Sequence, residues 1–281
     1  MSKPDYVHGY SELEAERLFD QANTLAELLH HDTRFPAGHT VLEAGCGVGA
    51  QTAIVAGKNT GVKFVSVDVS EPSLETNRKQ LAAKGINNVD LRQADIFNLP
   101  FPERSFDHVF VCFVLEHLAE PVKALEKLKR VLKPGGSITV IEGDHGSSLF
   151  SPFSNKAWAT VQCLIDVQKR LGGDSLIGRT LFPLLRRAGF EKVAVSPRFV
   201  YADDSRPEWV EGFTRRTYIA MVKGVREQAL EMNLISETDW DEGIRDLERT
   251  AGPDGVFCYT FFKATAHQAG VLSPEKEETH A

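Results

Sequence analysis

The segment Val41-Leu42-Glu43-Ala44-Gly45-Cys46-Gly47-Val48-Gly49-Ala50-Gln51-Thr52 runs from a short apolar stretch through three alternating glycines into residues that favour a helix. Glycines at such a bend admit backbone angles closed to other residues and let a ligand approach the main chain. The helix that follows offers unpaired N–H groups at its start. By spacing alone the segment has more than one reading. Gly45-x-Gly47-x-x-Ala50 satisfies a dinucleotide-binding pattern, with Asp68 at the right distance to take a ribose. A tight turn without a ligand is the plainest alternative.

Outward from this loop, strand and helix signals alternate. Thr40–Ala44, Val62–Val69, Asn88–Arg92, Phe106–Phe113 and Ser137–Glu142 read as strands. Helices are expected over 70–84 and 121–132, and Ser11-x-x-Glu14 forms a capping box before a first helix with Leu18, Ala22, Leu25 and Leu29 on one face. Short apolar strands between amphipathic helices predict a doubly wound α/β domain, its parallel sheet covered on both faces. After residue 145 the pattern changes. Helices are expected over 155–171, from Thr180 to Gly189, over 207–232 and over 237–249, with strands at Lys192–Tyr201 and Val256–Ala264. The expected organisation is an N-terminal helical lid segment (1–37), a ligand-binding core (38–145), a lid insertion (146–174), the rest of the core with a helical insertion at 207–250 (175–266), and a disordered charged tail (267–281).

Composition narrows the function. Lys+Arg 32 against Asp+Glu 39 leaves a formal charge of −7, which disfavours a duplex nucleic-acid binder. The longest apolar run, Val109–Leu115, is far short of the roughly 20 residues that span a bilayer. The polar start is neither a secretory signal nor a basic transit peptide. Cys46, Cys112, Cys163 and Cys258 are scattered without metal spacing, so no metal is expected and they read as reduced thiols of a cytoplasmic protein.

Two features separate the readings of the loop. Glu43 stands two positions before the first glycine, where a carboxylate suits a cationic amino group and repels a pyrophosphate. Gln93-Ala94-Asp95-Ile96 follows the third strand, where a carboxylate can accept from an adenine amino group while an aliphatic side chain packs on the ring. With Leu132-Lys133-Pro134-Gly135-Gly136 leading into the fifth strand, these motifs resemble the class I S-adenosylmethionine-dependent methyltransferases, in their UbiE/COQ5-like small-molecule branch. The resemblance covers about residues 38–145. It implies a Rossmann-like sheet of six parallel strands plus one antiparallel, with S-adenosylmethionine as cofactor and S-adenosylhomocysteine as product. It also implies that Gly45 and Gly47 flank the methionine moiety, Asp68 holds the ribose, Val69 touches adenine, and Asp95 with Ile96 reads the adenine edge. By the same resemblance Cys112, at the end of the fourth strand, is expected beside the sulfonium.

A narrower block, Tyr6-Val7-His8-Gly9-Tyr10-Ser11 with Glu14-x-x-Arg17-Leu18 and Leu28-Leu29-His30-x-Asp32-Thr33, is similar to a fungal subgroup that includes gliotoxin bis-thiomethyltransferases. This implies S-methylation of a thiol or dithiol, with Tyr10 over the methionine end of the cofactor. O- or C-methylation of a quinol or phenol is the alternative, and a nicotinamide-dependent oxidoreductase or a non-catalytic binding module are rivals of other classes. A thiol needs no strong base, since its pKa near 8.5 leaves a few per cent ionised at neutral pH. His145, after the fifth strand, is the candidate base, and Phe113, Trp158, Trp209 and Phe213 are candidates for an apolar acceptor pocket. A small-molecule acceptor is the expected partner; the sequence leaves the oligomeric state open, with a monomer favoured.

Overall fold

The computed structural model describes residues 12–270, with side chains from Ala15 onward. Tyr10, the Ser11 and Glu14 side chains of the expected capping box, and most of the charged tail lie outside the described residues. The order is α1 (Glu12–His30), β1 (Thr40–Ala44), α2 (Ala50–Lys58), β2 (Lys63–Asp68), α3 (Glu71–Ala83), β3 (Val89–Gln93), β4 (Phe106–Cys112), α4 (Pro121–Val131) and β5 (Leu132–Ser151). Then come α5 (Asn155–Arg170), α6 (Leu181–Arg187), β6 (Glu191–Ala202), α7 (Pro207–Trp209), a π-helix (Val210–Ile219), α8 (Ala220–Gly224), α9 (Arg226–Glu231), α10 (Glu237–Arg249) and β7 (Val256–His267).

The seven strands form one sheet in the order β3-β2-β1-β4-β5-β7-β6. β7 runs antiparallel to both neighbours, so the other six share one direction, the arrangement expected from the sequence. Strand order reverses between β1 and β4. The crevice outside their carboxyl ends is where open α/β sheets bind ligands.

Alternation along the strands divides the core between two faces. Val41, Phe64, Phe110 and Ile141 join Leu25 and Leu29 of α1, Val161 and Leu164 of α5, and Phe213 and Tyr218 of the π-helix. Leu42, Val65, Val109 and Val140 face the other way, against Leu125 and Leu128 of α4 and Leu181 and Leu185 of α6. The helices expected as a lid therefore share one core with the sheet.

The expected single helix over 207–232 is broken. At Gly212 an added Cβ would stand 2.2 Å from Thr24 Oγ1, so α1 and the π-helix meet where one has no side chain. Thr217 Oγ1 donates to Gly212 O, 2.8 Å away and five residues back, in keeping with the wider helical turn. Thr180 does not cap α6. Its hydroxyl donates backward to Ile177 O at 2.8 Å, and a 3₁₀ turn, Ile177–Thr180, leads in.

A buried polar knot fastens the end of α1. Lys263 of β7 is 4% exposed, and its Nζ lies 2.6 Å from both Asp32 Oδ1 and Thr33 Oγ1 and 3.3 Å from Leu29 O. His30, fully buried, reaches Gln51 Oε1 at 2.8 Å through Nε2. Burial pushes the His30 pKa down to about 4 against the opposing bond to Gln51. Burial alone would raise the Asp32 carboxyl, but bonds from Lys263 and Arg198 bring it down to about 2. α1 is thus joined to β7 and to the start of α2, next to the glycine loop.

Candidate functional site

The loop after β1 hooks over the end of β2. Gly45 N and Cys46 N both donate to Val67 O, at 2.8 and 3.0 Å. Asp68 braces the next turn: its Oδ2 accepts from Gly47 N at 2.8 Å and its Oδ1 from Ser70 N at 2.9 Å. Burial raises the Asp68 pKa while these N–H groups pull against the rise. All three loop glycines have positive φ, +76° at Gly45, +49° at Gly47 and +88° at Gly49.

Their surroundings differ. A Cβ on Gly45 would lie 2.5 Å from Val114 Cγ2, and one on Gly49 would lie 2.2 Å from Asn77 Oδ1. At Gly47 nothing stands within 4 Å. Gly45 and Gly49 are needed for packing, whereas Gly47 opens onto free space that a ligand can fill. Accordingly Gly47→Ala is expected to cost only backbone strain, about 1–2 kcal/mol. Gly45→Ala adds the displacement of Val114, about 1–3 kcal/mol more. Urea unfolding of both variants checks the order, and equal losses would refute it.

Glu43 differs from the expectation of an open carboxylate facing a cationic amino group. It is 3% exposed, with Oε1 3.0 Å from Thr52 Oγ1 and Oε2 2.6 Å from Ser66 Oγ, its register partner on β2. It ties β1, β2 and α2 together beneath the loop. Burial lifts its pKa to about 7, against the two hydroxyl bonds. Along the rim, Val69 is 50% exposed. Asp95, also exposed, accepts from Phe97 N at 2.9 Å, and Ile96 is buried behind it.

On the β4 side, Cys112 is buried and burial drives its thiol well above the ordinary range. Phe113 takes φ +58° and its ring lies 5.4 Å from that of Phe261. Phe213 belongs to the same aromatic group, 5.7 Å from Phe261 and 5.5 Å from Tyr259, and is 1% exposed. The other two pocket candidates pack on the margin of the same core. Trp158 packs on Phe150 at 6.3 Å, and Trp209 lies under the Arg206 guanidinium at 5.3 Å. His145 is 5% exposed, with Nδ1 2.8 Å from Tyr259 Oη and its main-chain N on Ser175 O. The structure walls it into the interior instead of presenting it as an open base, and burial lowers its pKa.

Two carboxyl groups stand at the β4–β5 crest: Glu116, with His117 a weaker candidate base in the sequence, and Glu142, which the sequence reading gave no role. Glu116 is 13% exposed; Gln168 Nε2 lies 3.2 Å from its Oε2 and His117 Nε2 3.7 Å from its Oε1. Glu142 is fully buried, and its Oε1 accepts from Val114 N at 3.0 Å and Leu115 N at 2.8 Å. The available signal was an acidic residue ending an otherwise apolar strand, where an unpaired charge is costly.

The cleft fits an adenosyl ligand by its own features: an open glycine, a carboxylate on the next strand end and an exposed aliphatic side chain beside it. Comparison with known proteins agrees. Residues 42–140 match the family described as a methyltransferase domain. The chain is 42% identical over 106 residues to a demethylmenaquinone methyltransferase of Clavibacter sepedonicus, covering 38% of this chain and 42% of that protein. It is 41% identical over 108 residues to the ubiquinone/menaquinone biosynthesis C-methyltransferase UbiE of Escherichia fergusonii, covering 37% and 43%. The chain thus spans less than half the length of these relatives. In fold it is similar to the Haemonchus contortus phosphoethanolamine N-methyltransferase 2 in complex with S-adenosyl-L-methionine, with TM-score 0.54, 17% identity, and 89% of this chain and 52% of that one covered. With glycine loop, acidic strand end and sheet order all in place, residues 42–140 match a methyltransferase domain and are similar to the UbiE-type methyltransferases, and S-adenosylmethionine is the cofactor this domain fits.

Proposed function

We propose that the protein transfers a methyl group from S-adenosylmethionine to a small molecule bound against the β4–β5 crest. The observation that carries this reading is the loop at Gly47, open on one side and anchored on the Asp68 carboxylate on the other. Asp68 would hold the ribose, Val69 and Ile96 would pack on adenine, and Asp95 would accept from its amino group. Gly45 and Gly47 would let the methionine moiety lie along the main chain. S-adenosylmethionine, when bound, supplies an electrophilic methyl carbon on a positively charged sulfur. The protein's task is then chiefly orientation and exclusion of water. α1, α5 and the π-helix serve that task by covering the aromatic group of Phe113, Phe261 and Tyr259.

The acceptor we propose is a thiol or dithiol such as reduced gliotoxin. This rests on the resemblance around the first helix and on the interior position of His145, since a thiol ionises near neutral pH without a dedicated base. A quinol or phenol is the second reading. Glu116 favours it, because a largely covered carboxylate oriented by Gln168 suits a hydroxyl that must lose its proton. The four described cysteines are buried and unpaired, which supports a reducing compartment such as the cytoplasm. No described helix is long and apolar enough to cross a membrane.

Methyl-labelled S-adenosylmethionine offered with reduced gliotoxin, a monothiol, a catechol and a quinol tests both parts. Label on the dithiol or monothiol is the expected result. Label on the quinol or catechol alone overturns the thiol reading. Tight cofactor binding with no label on any of the four counts against the catalytic reading and for a binding module.

A further inference from the structure

Glu142 is held in an unusual way. It stands one residue past the last parallel pair of β4 and β5, Cys112 with Ile141, where Phe113 N still donates to Ile141 O at 2.9 Å. Two successive main-chain N–H groups, of Val114 and Leu115, converge on its Oε1. Its Oε2 is buried and has no hydrogen-bond partner. A buried carboxyl oxygen left bare is a costly arrangement unless some further group answers it.

The acidic and thiol groups beside it do not answer it. Glu116, from the turn after β4, is a second carboxylate, and Cys112 of β4 is a thiol held neutral by burial. Asp144, two residues along β5, is already paired with Arg179 at 2.8 Å. The crest that Glu142 anchors is also the wall of the ligand crevice, because Val114 presses directly on Gly45. A ligand whose ribose sits on Asp68, at the β2 side, extends its sulfur end across Gly45 and Gly47 toward that wall.

We propose that Glu142 is the counter-charge of this crevice, the group that makes it hold the sulfonium of S-adenosylmethionine more tightly than the neutral thioether of S-adenosylhomocysteine. The inference rests on the cofactor reading above. Burial, with Glu116 beside it, raises the Glu142 pKa well above the ordinary carboxylate range, which favours the protonated form in the empty protein. A cation arriving at the crest favours the ionised form. The carboxyl O–H bond then breaks, the electron pair stays on oxygen, and the proton passes to the buffer. The neutral thioether offers no such pull, and the site reverts to the protonated carboxyl when the product remains.

Calorimetric titration of the whole protein with S-adenosylmethionine and with S-adenosylhomocysteine, at pH 7 in two buffers of different ionisation enthalpy, tests this. The native protein is expected to release a proton with the first ligand and none with the second, a count that needs no variant. In Glu142→Gln, whose amide oxygen can still serve Val114 N and Leu115 N, proton release should vanish. The preference for the sulfonium over the thioether should fall about tenfold, with the midpoint of thermal unfolding checked alongside. Equal proton counts for the two ligands, or an unchanged preference in a folded Glu142→Gln, would overturn the assignment of Glu142. Failure of both ligands to bind the native protein would instead overturn the cofactor reading beneath it.

Discussion

Replacing Asp68 by alanine is expected to weaken S-adenosylmethionine binding by on the order of 2–4 kcal/mol, the worth of charge-assisted bonds lost from a partly buried site. Two effects combine. The ribose would lose the acceptor proposed for it, and the turn at Gly47 loses the brace that sets it, since Gly47 N and Ser70 N both donate to this carboxylate. Asp68→Asn keeps one acceptor oxygen for the loop and should fall between the variant and the native protein. Calorimetry with both ligands measures the change. A folded Asp68→Ala with an unaltered Kd would remove this residue from the site.

The second large effect concerns stability against pH. Buried His30 keeps its proton off until about pH 4, while the unfolded chain takes one up near 6.5. Its contribution is therefore full above 6.5 and lost as the pH falls to 4. Glu43 works in the opposite sense. Its folded pKa of about 7 lies above the value of 4.5 for a free side chain, so its contribution is full below 4.5 and lost as the pH rises to 7. Each is worth about 3 kcal/mol across its window, and between pH 4.5 and 6.5 the two oppose one another. Urea midpoints through that range are expected to show His30→Gln gaining on the native protein as acid is added. Glu43→Gln should lose ground by a similar amount. Stability curves that stay parallel for all three proteins would contradict the pairing.

Much of this architecture was readable from the chain because it depends on local patterns. Strands β1, β2 and β4 carry largely apolar runs, and Gly45, at φ +76°, marks the turn that follows the first of them. The seven-strand sheet with one reversed strand followed from the family resemblance and is what the structure contains. The failures share a physical cause, which is dependence on a distant partner. The stretch 207–232 reads as one amphipathic helix, but the close approach of Thr24 at Gly212 accompanies a wider turn that periodicity does not reveal. Glu43 reads as a ligand until Ser66 and Thr52 are seen to occupy its oxygens. His145 reads as a base until Tyr259, 114 residues away, closes over its Nδ1. Glu142 was passed over because its donors are main-chain groups, and those have no signature in side-chain sequence.

The knot at Lys263 has a consequence for how the protein is made. Asp32 and Lys263 are separated by 231 positions, so a ribosome exposes the acid long before the base. At about 5–20 residues per second the interval is on the order of ten to fifty seconds. During it, the end of α1 lacks Lys263, the base that ties Asp32 and Thr33, and the π-helix that covers α1 emerges only late as well. Nascent chains stalled before residue 256 should therefore leave α1 open to protease, and the same helix should become resistant once β7 has emerged.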